Sequence, residues 1–314
     1  MAKHWLTCPF PCLGPIIGGF VTESYLGWRW TAWITLIMAA FFGAIGLAVI
    51  PETSAQKILQ TRARRLRFET KNWALHSKAD ETRLTLHTIA YVYLLRPWKM
   101  IVQEPILALL TAYMSYIYGV IYLLFQAYPI SFYEERGWSL GVSSLPFVPF
   151  IVGIIMGTGV MAYSTATNFK RAYIANGGPV PEERLPPMIV GAIALPVGLF
   201  WFAWTSFPSM TWVPQVLSSA LIGMGMLVCF WQGMNYIMDC YGFYSNSAIA
   251  VNTFLRSILG AVFPLFAPAM YHKLGVRWAT SLLAFLCVAF LPVPILFYKY
   301  GKRIRAKSKY VPMN

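Results

Sequence analysis

Four polar side chains recur at steps of three or four residues within one long apolar segment. They are Ser115, Tyr118, Tyr122 and Gln126, and this spacing places them on one face of a helix. Two later apolar segments carry further aromatic and amide side chains: Trp231, Gln232, Asn235 and Asn252. Hydroxyl, amide and aromatic groups without fixed charge favour a hydrated cavity for bulky amphipathic molecules. The alternative is that they form hydrogen bonds between helices or lie at a membrane interface.

Two charged residues accompany this polar set. Arg256 lies well inside an apolar segment, and Asp239 closes the end of the segment before it. A charge inside a bilayer costs about 2.5–3.5 kcal/mol, so Arg256 is expected to have a partner. We predict an ion pair between Asp239 and Arg256 that forms and breaks as a gate. The alternatives are a permanent structural ion pair and an Asp239 that is solvated in the following loop.

The sequence offers no catalytic constellation. It contains no H-E-x-x-H motif, and its histidines are isolated. His4, Cys8 and Cys12 have a spacing that could suggest a metal site, but prolines interrupt the segment and no further ligand completes it. We therefore predict no catalytic residues, no metal, no cofactor and no enzymatic activity.

The composition indicates an all-α integral membrane protein. Of 314 residues, 58% are hydrophobic and 11% are charged, and the mean hydropathy is +0.56. Soluble domains carry about 25% charged residues. Runs of about 20 apolar residues, each long enough to cross a bilayer, recur along the chain. We predict seven full spans near residues 30–50, 103–128, 140–164, 187–206, 214–238, 247–270 and 278–298, with a short eighth segment near 8–21.

The basic residues lie mainly between the predicted spans, and their distribution predicts the orientation. Ten Lys and Arg residues fall in 51–102, six in 299–314 and three in 165–186. An even number of spans separates these regions, so all 19 lie on one side of the membrane, against four residues on the other. Loops rich in Lys and Arg face the cytoplasm. The net charge of +14 therefore reflects membrane orientation and not a nucleic-acid partner.

The long polar segment between the first and second full spans has an amphipathic part. Within 56–71, Ile58, Leu59 and Leu66 are interspersed among basic residues. This pattern favours a helix lying on the anionic inner leaflet. A target helix of the calmodulin type is the alternative.

Several stretches, taken in order, resemble the fungal drug–proton antiporters of the major facilitator superfamily. "LGPIIGGF" at residues 13–20 is similar to the antiporter motif of the fifth helix, and "LGWRWTAWI" to the start of the sixth. "EPILALL", "YGVIYLLFQAYPISF", "PEERLPP", "NYIMDCYGFYSNSA" and "NTFLRS" follow in the family order. The resemblance covers about residues 13–309, whereas residues 1–12 do not resemble the family.

The resemblance implies a major facilitator fold that lacks helices 1–4, with about seven full transmembrane helices and a partial fifth. Its domains would be a remnant of the N-terminal bundle (1–50), a cytoplasmic central loop (51–102), a C-terminal six-helix bundle (103–300) and a basic tail (301–314). The motif residues Gly14, Pro15, Gly18 and Gly19 would pack the fifth helix against the eighth, which carries Gly153 and Gly157. Both glycine pairs have the G-x-x-x-G spacing of close helix contacts.

By resemblance, the cavity would be lined by Tyr118, Tyr122, Gln126, Trp231, Gln232, Asn235 and Asn252. Asp239 and Arg256 would lie near the cytoplasmic closure of this cavity. The implied function is efflux of small amphipathic organic molecules by proton antiport across a membrane, most simply the plasma membrane. We expect the chain alone to be inactive, because alternating access needs two bundles and the loss of four helices would expose the site to lipid. The family's proton-coupling residues have no matching positions here. The alternatives are a half-transporter that self-associates or assembles with a partner chain, and a decayed gene product.

Overall fold

The computed structural model describes residues 10–81, 90–178, 180–306 and 308–310, and these residues form helices, turns and loops without strands. The helices are α1 (Phe10–Glu23), α2 (Arg29–Val49), α3 (Ala55–Thr70), α4 (Lys78–Glu81), α5 (Arg96–Gln103), α6 (Pro105–Tyr128), α7 (Phe147–Ser164), α8 (Lys170–Asn176), α9 (Leu185–Trp204), α10 (Trp212–Tyr241), α11 (Ser245–Phe290) and α12 (Pro292–Arg305). Short π-helical turns extend α6 over Pro129–Glu134 and join α7 to α8 over Thr165–Phe169.

Five helical stretches of the described chain are long and apolar enough to cross a membrane. They are Arg29–Val49, Pro105–Glu134, Val142–Asn176, Pro181–Trp204 and Trp212–Arg305. The last stretch has 94 residues and holds three crossings, because the chain turns at Gly242 and again at Gly275. Gly275 has φ 74° and ψ 159°, a conformation that favours glycine. Each of the seven predicted spans therefore overlaps one of these apolar helical stretches, and some helices extend beyond the predicted ends, as far as Asn176 for the span at 140–164.

The core lies within the bundle formed by α6, α7 and α9–α12. The closest pairs are α9 with α10, α6 with α11, and α7 with α10. Glycines permit two of these approaches: a Cβ at Gly153 of α7 would overlap the carbonyl oxygen of Ala220, and one at Gly225 of α10 would lie 2.7 Å from the backbone nitrogen of Leu195. Both obstacles are backbone atoms, so the glycines set the distance between these helices.

The first two helices lie against one side of this bundle. α1 contacts α7 and residues 142–144, and Glu23 at its end accepts hydrogen bonds from the backbone N–H of Gly141 (2.8 Å) and the hydroxyl of Ser139 (3.1 Å). α2 contacts α1, and none of its 21 residues is buried. The helices that precede the bundle therefore cover little of it.

α1 contacts α7, as the family resemblance implied, but the Gly153/Gly157 pair does not face α1. A Cβ at Gly157 would lie 3.1 Å from Val228 and 3.2 Å from the carbonyl oxygen of Met224, both on α10. Gly14 and Gly18 have no atom within 4 Å of an added Cβ. The assignment of this face failed because G-x-x-x-G spacing identifies a helix face made of small residues but does not identify the helix that packs against it.

The segment between α2 and α6 contains α3, and Ser54 caps this helix by accepting from the backbone N–H of Lys57. The chain then folds back, and Arg67 donates to the carbonyl oxygen of Leu75. The backbone N–H of Ser77, together with the nearby Arg67 guanidinium, holds the pKa of Asp80 below its ordinary value. The apolar residues Ile58, Leu59 and Leu66 are exposed. The proposed leaflet contact of this helix and the domain boundaries stay predictions.

Candidate functional site

One face of α6 is half-exposed along its length. Tyr118, Tyr122 and Gln126 lie on it at intervals of four residues, whereas the residues on the other faces, including Ile117, Val120 and Leu123, are buried. The three polar residues therefore share one accessible surface, as their spacing predicted. Ser115, one turn earlier, is 2% exposed and lies in the interior. We call the surface formed by Tyr118, Tyr122, Gln126, Phe230 and Arg256 the open face.

Aromatic rings form the central part of the open face. The hydroxyls of Tyr118 and Tyr122 are 3.2 Å apart, and their rings meet edge to face with centroids 5.1 Å apart. Both rings lie against Gly260 of α11, where a Cβ would come within 2.9 Å of Tyr118 and 3.1 Å of Tyr122. A larger residue at 260 would push the rings away from α11. The glycine thus lets two hydroxyl-bearing rings line the surface together.

Arg256 brings a positive charge to these rings. Its guanidinium carbon lies 4.7 Å from the ring centroid of Tyr118 and 4.9 Å from that of Phe230 on α10. The two rings are stacked, with centroids 6.4 Å apart and an interplanar angle of 29°. A cation at these distances is attracted to the negative face of an aromatic ring. Arg256 therefore joins α11 to α6 and α10.

The open face lies near the middle of the spans that form it. Tyr118, Phe230 and Arg256 each lie within four residues of the midpoint of their helical runs, which are Pro105–Glu134, Trp212–Tyr241 and 245–274. Four residues of helix correspond to about 6 Å along the axis. The ring and guanidinium groups therefore meet near the middle of these helical runs.

Asp239 does not pair with Arg256 in this structure. Its carboxylate instead accepts from Nε of Arg184 at 2.9 Å. Asp239 lies two residues before the end of α10, whereas Arg256 lies eleven residues into α11. This difference puts them about 13 Å apart along antiparallel axes, which is beyond the reach of an arginine side chain. The gating role of either residue stays a prediction.

Arg184 was missed in the sequence because it lies in a loop that was counted only for its charge. It precedes α9, which is antiparallel to α10, so the start of one helix lies beside the end of the other. The guanidinium of Arg184 lies 3.6 Å from the ring centroid of Phe169. Next to it, Arg305 of α12 binds Glu182 through two hydrogen bonds of 2.9 and 2.8 Å. We call Glu182, Arg184, Asp239 and Arg305 the charged cluster.

Gln232 and Asn252 lie inside the bundle and not on the open face, and their role as cavity residues stays a prediction. Gln232 is 2% exposed, and Asn252 is fully buried. Asn252 donates from Nδ2 to the hydroxyl of Thr111 on α6 at 3.3 Å. This contact is the interhelical hydrogen bond that was the alternative reading. Trp231 and Asn235 are half-exposed on the accessible stripe of α10, so they stay candidate cavity residues.

The four glycine-motif residues differ in what they contact. Only Gly19 makes a close approach, because an added Cβ there would overlap the side chain of Ser144. Gly14 and Gly18 are uncovered, and Pro15 lies inside α1. The prediction that His4, Cys8 and Cys12 form no metal site concerns a segment of which His4 and Cys8 lie outside the described residues.

Comparison with known proteins places these features in a family. The profile of the Major Facilitator Superfamily matches residues 10–264. The citrinin biosynthesis cluster MFS transporter mrr1 of Monascus ruber is 54% identical over 303 residues, which cover 96% of this chain and 60% of the relative. The ascochitine biosynthesis cluster MFS transporter of Didymella fabae is 50% identical, and the cercosporin MFS transporter CTB4 of Cercospora nicotianae is 46% identical; both matches cover 96% of this chain and 59% of the relative.

The chain thus spans about 60% of the length of these curated relatives. Their names describe transporters, in agreement with the prediction that the chain is not an enzyme. No solved structure shows a significant match to the chain. The expectation that four further helices of the fold belong with this sequence stays a prediction.

Proposed function

The chain belongs to the major facilitator superfamily, and from this premise we propose that it forms part of a transporter exporting small amphipathic organic molecules. The observation that carries the proposal is the open face. Its hydroxyl-bearing rings and its single cation lie near the middle of their helical runs, and transporters of this type bind their substrates near the bilayer midplane. The names of the relatives, which refer to fungal secondary metabolites, support this substrate class.

We further propose that export is coupled to protons and takes place across the plasma membrane. The central loop and the C-terminus would face the cytoplasm. The side of the membrane that holds them carries 19 Lys and Arg residues against four on the other side, and cytoplasmic loops are rich in Lys and Arg. The charged cluster would then lie at the cytoplasmic end of the bundle. In that position it would hold α9, α10 and α12 together as one body while the bundle rocks.

The 314 residues alone are not expected to export. Alternating access requires two bundles that rock around a shared site. In this chain the open face lies beside no second bundle within the described residues, and Tyr118 and Tyr122 would contact lipid. The test is efflux of Nile red, a neutral amphipathic dye, from a fungal host without its own efflux pumps.

Three proteins are compared in this assay: the chain, the full Monascus ruber relative, and a fusion that adds to the chain the part of the relative that it does not cover. We expect export by the full relative and by the fusion but not by the chain alone. This export should stop when the proton gradient is collapsed. Gradient-dependent export by the 314 residues alone would overturn the expectation of inactivity. A well-expressed fusion that exports nothing, beside an active relative, would count against the transporter function.

A half-transporter that assembles with another copy or another chain is the second candidate. It is favoured by α2, which has no buried residue, and by Gly14 and Gly18, which have no covering atoms. Small residues at this spacing permit close contact between transmembrane helices. We expect crosslinking of the chain in native membranes to trap a discrete larger species. Recovery of monomer alone, under conditions that crosslink a known membrane dimer, would exclude this candidate.

A further inference from the structure

Arg256 has no anionic partner among the described residues. The ion pairs in this part of the chain use Arg65, Arg67, Arg184, His272 and Arg305. Arg256 also donates no hydrogen bond to any described residue, and its buried Nε is left without an acceptor. A guanidinium carries five N–H donors. The aromatic rings of Tyr118 and Phe230 stabilise its charge and accept none of these donors in a conventional hydrogen bond.

This arrangement is costly unless a further ligand completes it. A charge inside the hydrocarbon layer is unfavourable even on translocon-insertion scales. A cation–π contact offsets only part of this cost. The other polar groups of the open face are neutral hydroxyls and an amide, so none of them neutralises the charge. Arg256 therefore has unused capacity to bind an anion, at an accessible position beside apolar ring surfaces.

We propose that Arg256 binds the anionic group of the exported molecule, so that the substrates are amphipathic organic acids. The planar fork of a guanidinium suits a carboxylate, which it can bind through two parallel hydrogen bonds. The rings of Tyr118, Tyr122 and Phe230 pack against the apolar part of the same molecule. This assignment rests on the proposed transport function and specifies its substrate chemistry.

The proposal is tested by comparing an acid with its neutral isostere. The purified chain in lipid nanodiscs is dialysed against 2-naphthoate or 2-naphthamide, and binding to empty nanodiscs is subtracted. Hydrogen bonds to charged groups contribute about 1.5–3 kcal/mol. We therefore expect the wild-type chain to bind naphthoate at least about tenfold more tightly than naphthamide.

Two variants at position 256 and one matched control separate charge recognition from packing. Arg256→Gln should abolish the preference for naphthoate, and Arg256→Lys should retain part of it. Arg277→Gln is the control, because Arg277 also lies over an aromatic ring, 3.7 Å from the centroid of Trp204, but outside the open face. It should leave the preference unchanged. Each variant is first checked for the elution profile and thermal midpoint of the wild type.

Equal binding of the two probes by the wild type, or no binding of naphthoate, would overturn the proposal. A preference for naphthoate that is retained in Arg256→Gln would also overturn the proposal. Arg256 would then be only a structural contact between helices. The Nile red assay reads the transport function separately because that dye is neutral. Export by the fusion without an anion preference would overturn only the anion assignment. An anion preference without export by the fusion, beside an active relative, would overturn only the transport function.

Discussion

Valine in place of Gly153 is expected to prevent the normal packing of α7 against α10 and to lower the thermal midpoint of the detergent-solubilised chain by about 5–10 °C. The physical reason is steric. A Cβ at this position would overlap the carbonyl oxygen of Ala220 and would lie 2.9 Å from the Cα of Ala220. These are backbone atoms of a helix, so they cannot move aside as a side chain would. The two helices must separate, and the buried contacts between them are lost.

The same helix supplies the control. Gly159 also lies within α7, but an added Cβ there has no atom within 4 Å. Gly159→Ala should leave the midpoint unchanged or raise it slightly, because alanine is the better helix former. Gly157→Ala should give an intermediate loss, since its nearest obstacle is the Val228 side chain at 3.1 Å. Equal midpoints for the Gly153 and Gly159 variants would show that the approach of α7 to α10 is not set by this glycine.

The glycines illustrate how far the sequence alone could lead. The G-x-x-x-G spacing identified a helix face made for close approach, and the structure has such an approach at Gly153. The helix that faces this glycine pair is α10 and not α1, and the sequence held a signal for it. Gly223 on α10 meets Phe150 of α7 in the reciprocal contact, where an added Cβ would overlap a backbone carbonyl. Two helices with matching small residues are stronger evidence of a contact than one helix with a motif.

The spans were predictable because composition and length suffice to identify a membrane helix. The face shared by Tyr118, Tyr122 and Gln126 was predictable because helical periodicity is local. The burial of Gln232 and Asn252 was not, because burial depends on where neighbouring helices lie. Gln232 directly follows the half-exposed Trp231, and a single residue step turns the side chain by about 100° into the interior.

The partner of Asp239 was also beyond the sequence, for a related reason. Pairing between helices depends on the depth of each residue along its axis as well as on charge. Arg256 has the right charge but lies near the middle of its helical run, whereas Arg184 lies at the same end of the bundle as Asp239. Counting residues from each helix end would have favoured Arg184.

Removing Arg184 is expected to destabilise the bundle by about 3–5 kcal/mol, because it leaves Asp239 as an unpaired charge in a partly buried site. The side chains of Arg184 and Asp239 are only 9% and 21% exposed. Arg184→Ala also removes the contact of the guanidinium with the Phe169 ring. The loss should be visible as a lower thermal midpoint and as earlier exchange of backbone amides at the start of α9.

A double-mutant cycle separates the ion pair from the rest of this effect. Arg184→Ala and Asp239→Asn should each destabilise the chain, and the double variant should lose less than the sum of the two, since neither change then leaves an uncompensated charge. Arg65→Ala is the matched control: it breaks the Arg65–Glu69 pair of 2.7 Å, whose side chains are 81% and 52% exposed. An exposed ion pair contributes about 0–1 kcal/mol to stability, so the thermal midpoint of this variant should equal that of the wild type. Additive losses at Arg184 and Asp239 would mean that the two residues stabilise the bundle independently, and this pair could not then hold the start of α9 to the end of α10.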